Sequence, residues 1–533
     1  MIWLTYFWIG YLKEREVGLL KAKCFAMFLL VIGCAGCVEN ENVAVNAQPI
    51  LKRCPGFTET GKPPLAYSAE CGSVSVKENP ADPESKEINI EILRLPAISP
   101  AAQKDPLFLI QGGPGGSSIE MANFLHGFFA DVRKNRDLIF VDQRGTGKSN
   151  PLRCTQLSLE DIHLSEGEQI EKYLGLMKQC ASDKKDSLPF YTTLHAVQDL
   201  DVVRKALGYE KINLWGTSYG TRVALEYAHQ FPQHARTIIL DAIAPKEIAL
   251  SKFSARDSLA ALAAVNAECL AQADCAKMFG DIVAKTETIY ARLNVADQSG
   301  TPLIVSYGHP LNQVKDEFNL TARIFSQLIF SALYSRDLTV LLPQAISQAE
   351  QGNYELIATL FALSVEQSQK MNLADAMHFS VLCNEDWYFI SANDVETTPP
   401  FFGLNAIKDR DAVCAFWPKA NLPEEYYQPI HSEIPALLLS GKHDPITPEY
   451  WADQVARTLP NSTRLSAAGG NHGISMEGCL PQIIAQFIER GSMQDVKTEC
   501  VSNIKPLPLV LGANQKKTSS ANNSSVSNDG GQP

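Results

Sequence analysis

The sequence lacks any concentrated basic segment: 47 Lys and Arg face 59 Asp and Glu, and the formal charge of −12 is spread along the chain. Nucleic acid, which is held by a clustered basic surface, is therefore not an expected partner. The apolar run Phe25–Ile32 is too short to span a bilayer. Beyond the first 37 residues no C-x-x-C pair occurs, and the ten histidines are scattered, which argues against a metal site. A phosphate-binding loop is missing too. The glycine run Gly112–Gly116 is not followed by Gly-Lys-Ser/Thr at the required place, and Pro114 removes a donor. Gly145-Thr146-Gly147-Lys148-Ser149 lacks the upstream glycine spacing. No cofactor is expected. What remains is an ordinary globular composition, 45% hydrophobic and 20% charged, in a chain of 533 residues, long enough for one core with a large insertion.

The N-terminus reads as a leader. Lys21 and Lys23 precede the apolar run, and small residues follow it, as in an export signal. Leu30-Val31-Ile32-Gly33-Cys34 resembles a bacterial lipobox, which makes Cys34 the expected lipidated residue and a lipid chain the expected membrane attachment. Cys37 is the rival site, and a plain cleaved signal is the simpler alternative. Residues 1–20 are an unusually long start, as an upstream misassigned start codon would produce. The expected destination is the bacterial cell envelope, as a membrane-anchored lipoprotein.

Export makes the cysteines legible. Cys24, Cys34 and Cys37 belong to the leader, and ten of the 13 remain. They fall as near neighbours, Cys54 with Cys71, Cys154 with Cys180, Cys269 with Cys275, Cys383 with Cys414 and Cys479 with Cys500, so five local disulfides are expected. The organisation follows: residues 1–34 the signal with its lipobox, 35–53 a polar tether, 54–245 and 378–500 the two parts of one core, and 501–533 a disordered tail. The tail is richest in Ser, Asn, Gly and Lys from residue 512. Short apolar runs at Ile88–Leu93, Leu107–Gln111, Leu138–Asp142, Ile212–Trp215, Thr237–Asp241 and Ala436–Ser440 predict strands buried on both faces of a mostly parallel sheet. Helical segments such as Thr193–Leu207 and Tyr219–Phe231 lie between them, so the predicted class is α/β. Residues 246–377, Ala- and Leu-rich with helical spacing and few strand signals, predict a helical lid over the C-terminal edge of the sheet, with an approximate end that extends at most to about 430.

Three stretches carry chemistry. Ile212-Asn213-Leu214-Trp215 runs into Gly216-Thr217-Ser218-Tyr219-Gly220 and then a helical pattern, the context in which a sharp strand-to-helix turn exposes a nucleophilic serine, Ser218. Such a serine needs a base and an orienting acid, in the chain order nucleophile, acid, base. Asp444 follows the strand at Ala436–Ser440 in a proline-bounded turn, and His472 lies in Gly469-Gly470-Asn471-His472-Gly473 before the predicted helix Pro481–Arg490. Asp241, at the end of another strand, is the alternative acid; His443, His229 and His378 are the other histidines weighed. The run Gln111-Gly112-Gly113-Pro114-Gly115-Gly116 after a strand exposes backbone N–H groups, and the Gly113 and Tyr219 amides are the expected oxyanion hole.

Gly112-Gly113-Pro114-Gly115, Asp142-Gln143-Arg144-Gly145-Thr146-Gly147-Lys148-Ser149 and Gly216-Thr217-Ser218-Tyr219-Gly220, in this order, resemble the prolyl-iminopeptidase family of α/β-hydrolases. The cysteine pattern, Cys383-Asn384-Glu385-Asp386-Trp387 and the Asp444 and His472 blocks look more like its secreted tripeptidyl-aminopeptidase branch. The resemblance runs from Cys54 to Cys500. It implies an α/β-hydrolase fold with an inserted lid, a triad of Ser218, Asp444 and His472, and a serine exopeptidase acting on short peptides with a free N-terminus. Gln111 stands where the family often has histidine, which bears on support of the loop. The Asp142 and Arg144 motif is expected to brace the site. Glu385, with Asp386 beside it, is the expected carboxylate for the substrate amine; a plain surface acid next to a disulfide is its other reading. An esterase on the same fold and a non-catalytic binding lipoprotein are the competing functions, the second disfavoured by the intact set of Ser218, Asp444 and His472.

Overall fold

The computed structural model describes residues 51–54, 69–157, 161, 164–308 and 315–512. The leader, with Cys34 and Cys37, lies outside the described residues, as do residues 513–533 of the predicted tail. The strands are β1 (Leu51–Arg53), β2 (Glu70–Lys77), β3 (Glu87–Leu95), β4 (Leu107–Ile110), β5 (Leu138–Val141), β6 (Ile212–Thr217), β7 (Ala235–Asp241), β8 (Leu303–Gly308), β9 (Lys315–Leu320), β10 (Ala436–Gly441) and β11 (Ser462–Ala467). Among the described residues nine of them form one sheet in the order β1-β2-β3-β5-β4-β6-β7-β10-β11. The first three pairings are antiparallel; from β5 onward every neighbour is parallel.

The six predicted strands are all present, and the reason is their burial. Every residue of β4, β5 and β10 is buried, so each reads as an unbroken apolar run. Along β10 the side chains alternate between layers: Leu437 and Leu439 pack with Trp215, Phe129 and the helix Leu480–Arg490, while Ala436 and Leu438 pack with the helices on the other face. The strands without an apolar run, the edge strands β1 and β11 and the next-to-edge strand β2, are half exposed.

The insertion has its own core. The helices Leu250–Leu270, Ile282–Gln298, Ala322–Tyr334 and Leu342–Glu350 bury Leu262, Ile289, Phe325, Leu328 and Ile346 against one another. It is not purely helical: β8 and β9 form an antiparallel hairpin within it, with Val305, Phe318 and Leu320 turned inward. From Ala374 the chain returns to the sheet-side core through Met377, Phe379, Cys383, Val413 and Trp417.

Two predicted boundaries need correction. Leu51–Arg53, assigned to the tether, pair with β2 because Leu51 packs against the main core. Residues 501–512, assigned to the tail, are anchored: Val501 and Ile504 enter the core beneath the sheet, Leu509 enters the lid core, and the Val510 N–H donates to the Val340 carbonyl at 3.0 Å. Apolar side chains at these positions outweigh the polar composition around them.

The five expected disulfides form, Cys54–Cys71, Cys154–Cys180, Cys269–Cys275, Cys383–Cys414 and Cys479–Cys500. Such a set is typical of proteins that fold in an oxidising compartment. Because Leu438 is fully buried in the strand that leads to Asp444, Leu438→Ala should cost about 2–5 kcal/mol in urea unfolding; a loss under about 1 kcal/mol would contradict this packing.

Candidate active site

β6 ends at Thr217 and the helix Tyr219–Gln230 starts two residues later, leaving Ser218 alone in the turn at φ 54°, ψ −125°. That left-handed backbone is unfavourable for a residue with a Cβ, and costs about 1–3 kcal/mol unless its surroundings impose it. Here they do. The Ser218 N–H donates to the Asp241 carbonyl at 2.9 Å, and the Ser218 carbonyl accepts from the Thr221 N–H at 2.9 Å and its hydroxyl at 2.6 Å. The flanking glycines are required by close approach: a Cβ on Gly216 would strike the Gly220 carbonyl, and one on Gly220 the Ile110 carbonyl.

The loop Gly112–Gly116 lies against this turn because β4 and β6 are paired neighbours, Ile110 opposite Gly216. A Cβ on Gly112 would lie 2.8 Å from Ser218 Cβ and 3.2 Å from the Tyr219 nitrogen. Among the described residues neither the Gly113 nor the Tyr219 N–H has an acceptor, leaving both donors free for a ligand oxygen.

Asp444 and His472 meet at the ends of β10 and β11. His472 Nδ1 lies 2.9 Å from Asp444 Oδ2, and the acid is fully buried. Asp444 also accepts the Ile446 and Thr447 N–H groups at 2.9 and 2.8 Å and the Thr447 hydroxyl at 2.6 Å. Burial alone would raise this carboxyl, but the charge of His472 and the bonds from His472 and Thr447 outweigh it and hold it below the usual aspartate range. With Nδ1 donating to Asp444, neutral His472 keeps its lone pair on Nε2. Thr447, three residues after the acid, was not singled out from sequence, although the Asp-Pro-Ile-Thr turn is its signal.

The competitors go elsewhere. Asp241 accepts the Ile474 and Ser475 N–H groups at 2.8 and 2.9 Å and the Ser475 hydroxyl at 2.5 Å, so it fastens the loop after His472 rather than the imidazole. Burial pushes its carboxyl up. His443 faces Glu268 at 2.9 Å, His229 is exposed, and His378 Nδ1 lies 3.2 Å from the Pro114 carbonyl.

Glu385 is misassigned as the amine-binding carboxylate. It is fully buried and its oxygens are taken: Oε1 by the Thr193 N–H at 2.7 Å, Oε2 by the Tyr426 and Thr193 hydroxyls at 2.6 and 2.8 Å, with Arg222 Nη1 at 3.4 Å. Nor is it a surface acid. Thr193 Oγ1 in turn lies 2.8 Å from the Tyr219 hydroxyl, so Glu385 steadies the residue after Ser218 from below. The bracing motif is equally internal. Asp142 accepts the Ser117 hydroxyl at 2.7 Å and the Ile119 N–H at 3.0 Å, and Arg144, fully buried, clasps both oxygens of Asp199 at 2.6 and 2.7 Å. Gln111, the departing position, has its N–H bonded to the Ser118 hydroxyl at 3.0 Å. No group of three His, Cys, Asp or Glu able to hold a metal occurs among the described residues.

A mostly parallel sheet with helices on both faces, a serine in a left-handed turn after β6, and an Asp–His pair on later strand ends define an α/β-hydrolase. Residues 105–270 match the α/β hydrolase fold family and residues 399–500 match the TAP-like protein family; the chain has the α/β-hydrolase fold with a TAP-like C-terminal region. It is 24% identical over 525 residues to serine protease Hip1 of Mycobacterium tuberculosis, covering 92% of this chain and 98% of that protein. It is 28% identical over 193 residues to a tripeptidyl aminopeptidase of Streptomyces coelicolor (34% of this chain, 36% of that one) and 29% over 139 residues to a proline iminopeptidase of Neisseria gonorrhoeae (26% and 32%).

The two buried aspartates should separate in mutagenesis. Asp444→Asn is expected to lower kcat about ten-thousandfold by spoiling the histidine tautomer. Asp241→Asn should lower the unfolding midpoint while keeping most of kcat. The reverse pattern in steady-state rates would reassign the acid.

Proposed function

We propose that this chain is an exported serine exopeptidase that removes N-terminal residues from short peptides through an acyl-enzyme on Ser218. The observation that carries the reading is the Asp444–His472 pair at 2.9 Å beside a serine held at φ 54°, with the Gly113 and Tyr219 amides without an acceptor among the described residues. His472 Nε2 takes the Ser218 proton as Oγ bonds to the scissile carbonyl carbon. The carbonyl oxygen becomes an oxyanion held by the Gly113 and Tyr219 amides. As the tetrahedral intermediate collapses, the C–N bond breaks and His472 passes its proton to the departing amine. Water then attacks the ester, giving its proton to His472, and Ser218 regains a proton as the acid is released. Peptide as the acyl donor is supported by the names of the relatives: serine protease, tripeptidyl aminopeptidase and proline iminopeptidase. The restriction to free ends is assigned to the lid, since Glu385 is fully buried and both of its oxygens already accept hydrogen bonds from Thr193 and Tyr426.

The test is a panel of tripeptidyl anilides, free and N-acetylated, beside p-nitrophenyl esters. Free peptides should be cleaved about 10- to 100-fold faster in kcat/KM than acetylated ones, as expected for a charge-assisted contact to the amine, and Ser218→Ala should lose about a million-fold in kcat. Equal rates for blocked and free peptides would remove the exopeptidase reading, and turnover of esters alone would favour an esterase.

Attachment to the membrane through a lipid on Cys34 belongs to the same proposal. Among the described residues no helix is long and apolar enough to cross a membrane. The expected result is that Cys34→Ser moves the protein from the detergent to the aqueous phase on Triton X-114 partitioning, while Cys37→Ser does not. The opposite pair of outcomes would move the modification to Cys37.

A further inference from the structure

The lid touches the site at one point that the mechanism above leaves unused. The helix Ala322–Tyr334 is anchored by Phe325, Leu328, Ile329 and Leu333, all fully buried, and it ends at Tyr334. The Tyr334 ring lies with its centroid 4.2 Å from that of His472, tilted by 45°. The preceding residue is gripped as well: Asn471, buried and next to His472, donates from Nδ2 to the Leu333 carbonyl at 2.7 Å and to Thr339 Oγ1 at 2.9 Å. Thr339 closes the clasp by donating to the Ala332 and Ser335 carbonyls at 3.0 and 2.9 Å. Two consecutive residues of the lid helix thus meet two consecutive residues of the base loop. An aromatic face this close to an imidazole restricts its plane and is attracted to it once it is protonated.

We propose that Tyr334 is a positioning residue of the reaction: its ring, held by the clasp between Asn471 and the lid helix, sets the plane of His472, so the base is aligned by the lid helix. The inference rests on the reading of Ser218 as nucleophile and His472 as base. A residue acting this way affects the chemical step rather than ground-state binding, since small misalignments of a base reduce rate steeply.

The experiment compares Tyr334→Phe, Tyr334→Leu and Thr339→Val in the full chain, with kcat and KM measured separately on a free tripeptidyl anilide and Ser218→Ala as the control. Tyr334→Leu is expected to lower kcat about 10- to 100-fold with KM changed less than about threefold, and Tyr334→Phe, which restores the ring, to recover kcat to within about fivefold of the parent. An unchanged kcat in Tyr334→Leu, a loss confined to KM, or no recovery in Tyr334→Phe would overturn the proposal. Should Tyr334→Leu fail to fold, the proposal rests on Thr339→Val, which loosens the clasp from the lid side: a kcat loss of about fivefold or more at constant KM supports it, and an unchanged kcat overturns it. Turnover retained in Ser218→Ala would instead defeat the nucleophile reading; an inactive Ser218→Ala beside an unaffected Tyr334→Leu would defeat this inference alone.

Discussion

The rest of the site depends on one unfavourable backbone conformation, the left-handed turn at Ser218. A serine in an ordinary loop would relax out of it, because nothing local prefers it. It persists because β7 accepts the Ser218 N–H through the Asp241 carbonyl, Thr221 bonds back to the Ser218 carbonyl, and the glycines on either side let strand, helix and β4 approach within contact distance. The strain is therefore distributed over the middle of the sheet, where the strands are almost wholly buried. A hydroxyl presented this way is rigid before substrate arrives, which lowers the entropy cost of reaching a reactive geometry.

Buried carboxylates do the remaining positioning, and their partners distinguish their tasks. Asp142 accepts bonds from the oxyanion loop, Asp241 from the loop after the histidine, and Glu385 from Thr193 and Tyr426 behind Tyr219. Each of these three is raised by desolvation and serves the scaffold. Asp444 alone faces the imidazole and alone among the four is held below its ordinary range. The contrast explains why counting acids near a nucleophile is a poor guide to the acid that works: a carboxylate whose lone pairs are already filled by the scaffold has little left for an imidazole or a substrate amine.

Sequence order and spacing were enough for the central strands, the Ser218 turn, the oxyanion loop and the Asp444–His472 pair, because each of these carries a local requirement that restricts residue type. Continuous apolar runs mark strands buried on both faces, and glycine marks close backbone approach. The outer strands carry no such restriction; β2, next to one edge, and β11, at the other, are half exposed and read as mixed polar sequence. The hairpin β8–β9 was hidden inside a helical background. Glu385 was misread because a charged residue beside a cysteine does not reveal whether Thr193 and Tyr426, distant in sequence, fill its oxygens. Tyr334 had no sequence signal at all. It is the last residue of an amphipathic helix, and only the clasp between Asn471 and Leu333 brings it onto His472.

In the function proposed here the nucleophile, its base and the lid form one device for peptides with free ends. The most direct measurement is to react the protein with a tripeptidyl diphenyl phosphonate bearing a free N-terminus and to map the covalent adduct by tandem mass spectrometry. The account predicts a single adduct, on Ser218, formed markedly faster than with the N-acetylated reagent. An adduct on any other residue, or equal rates for the two reagents, would contradict it.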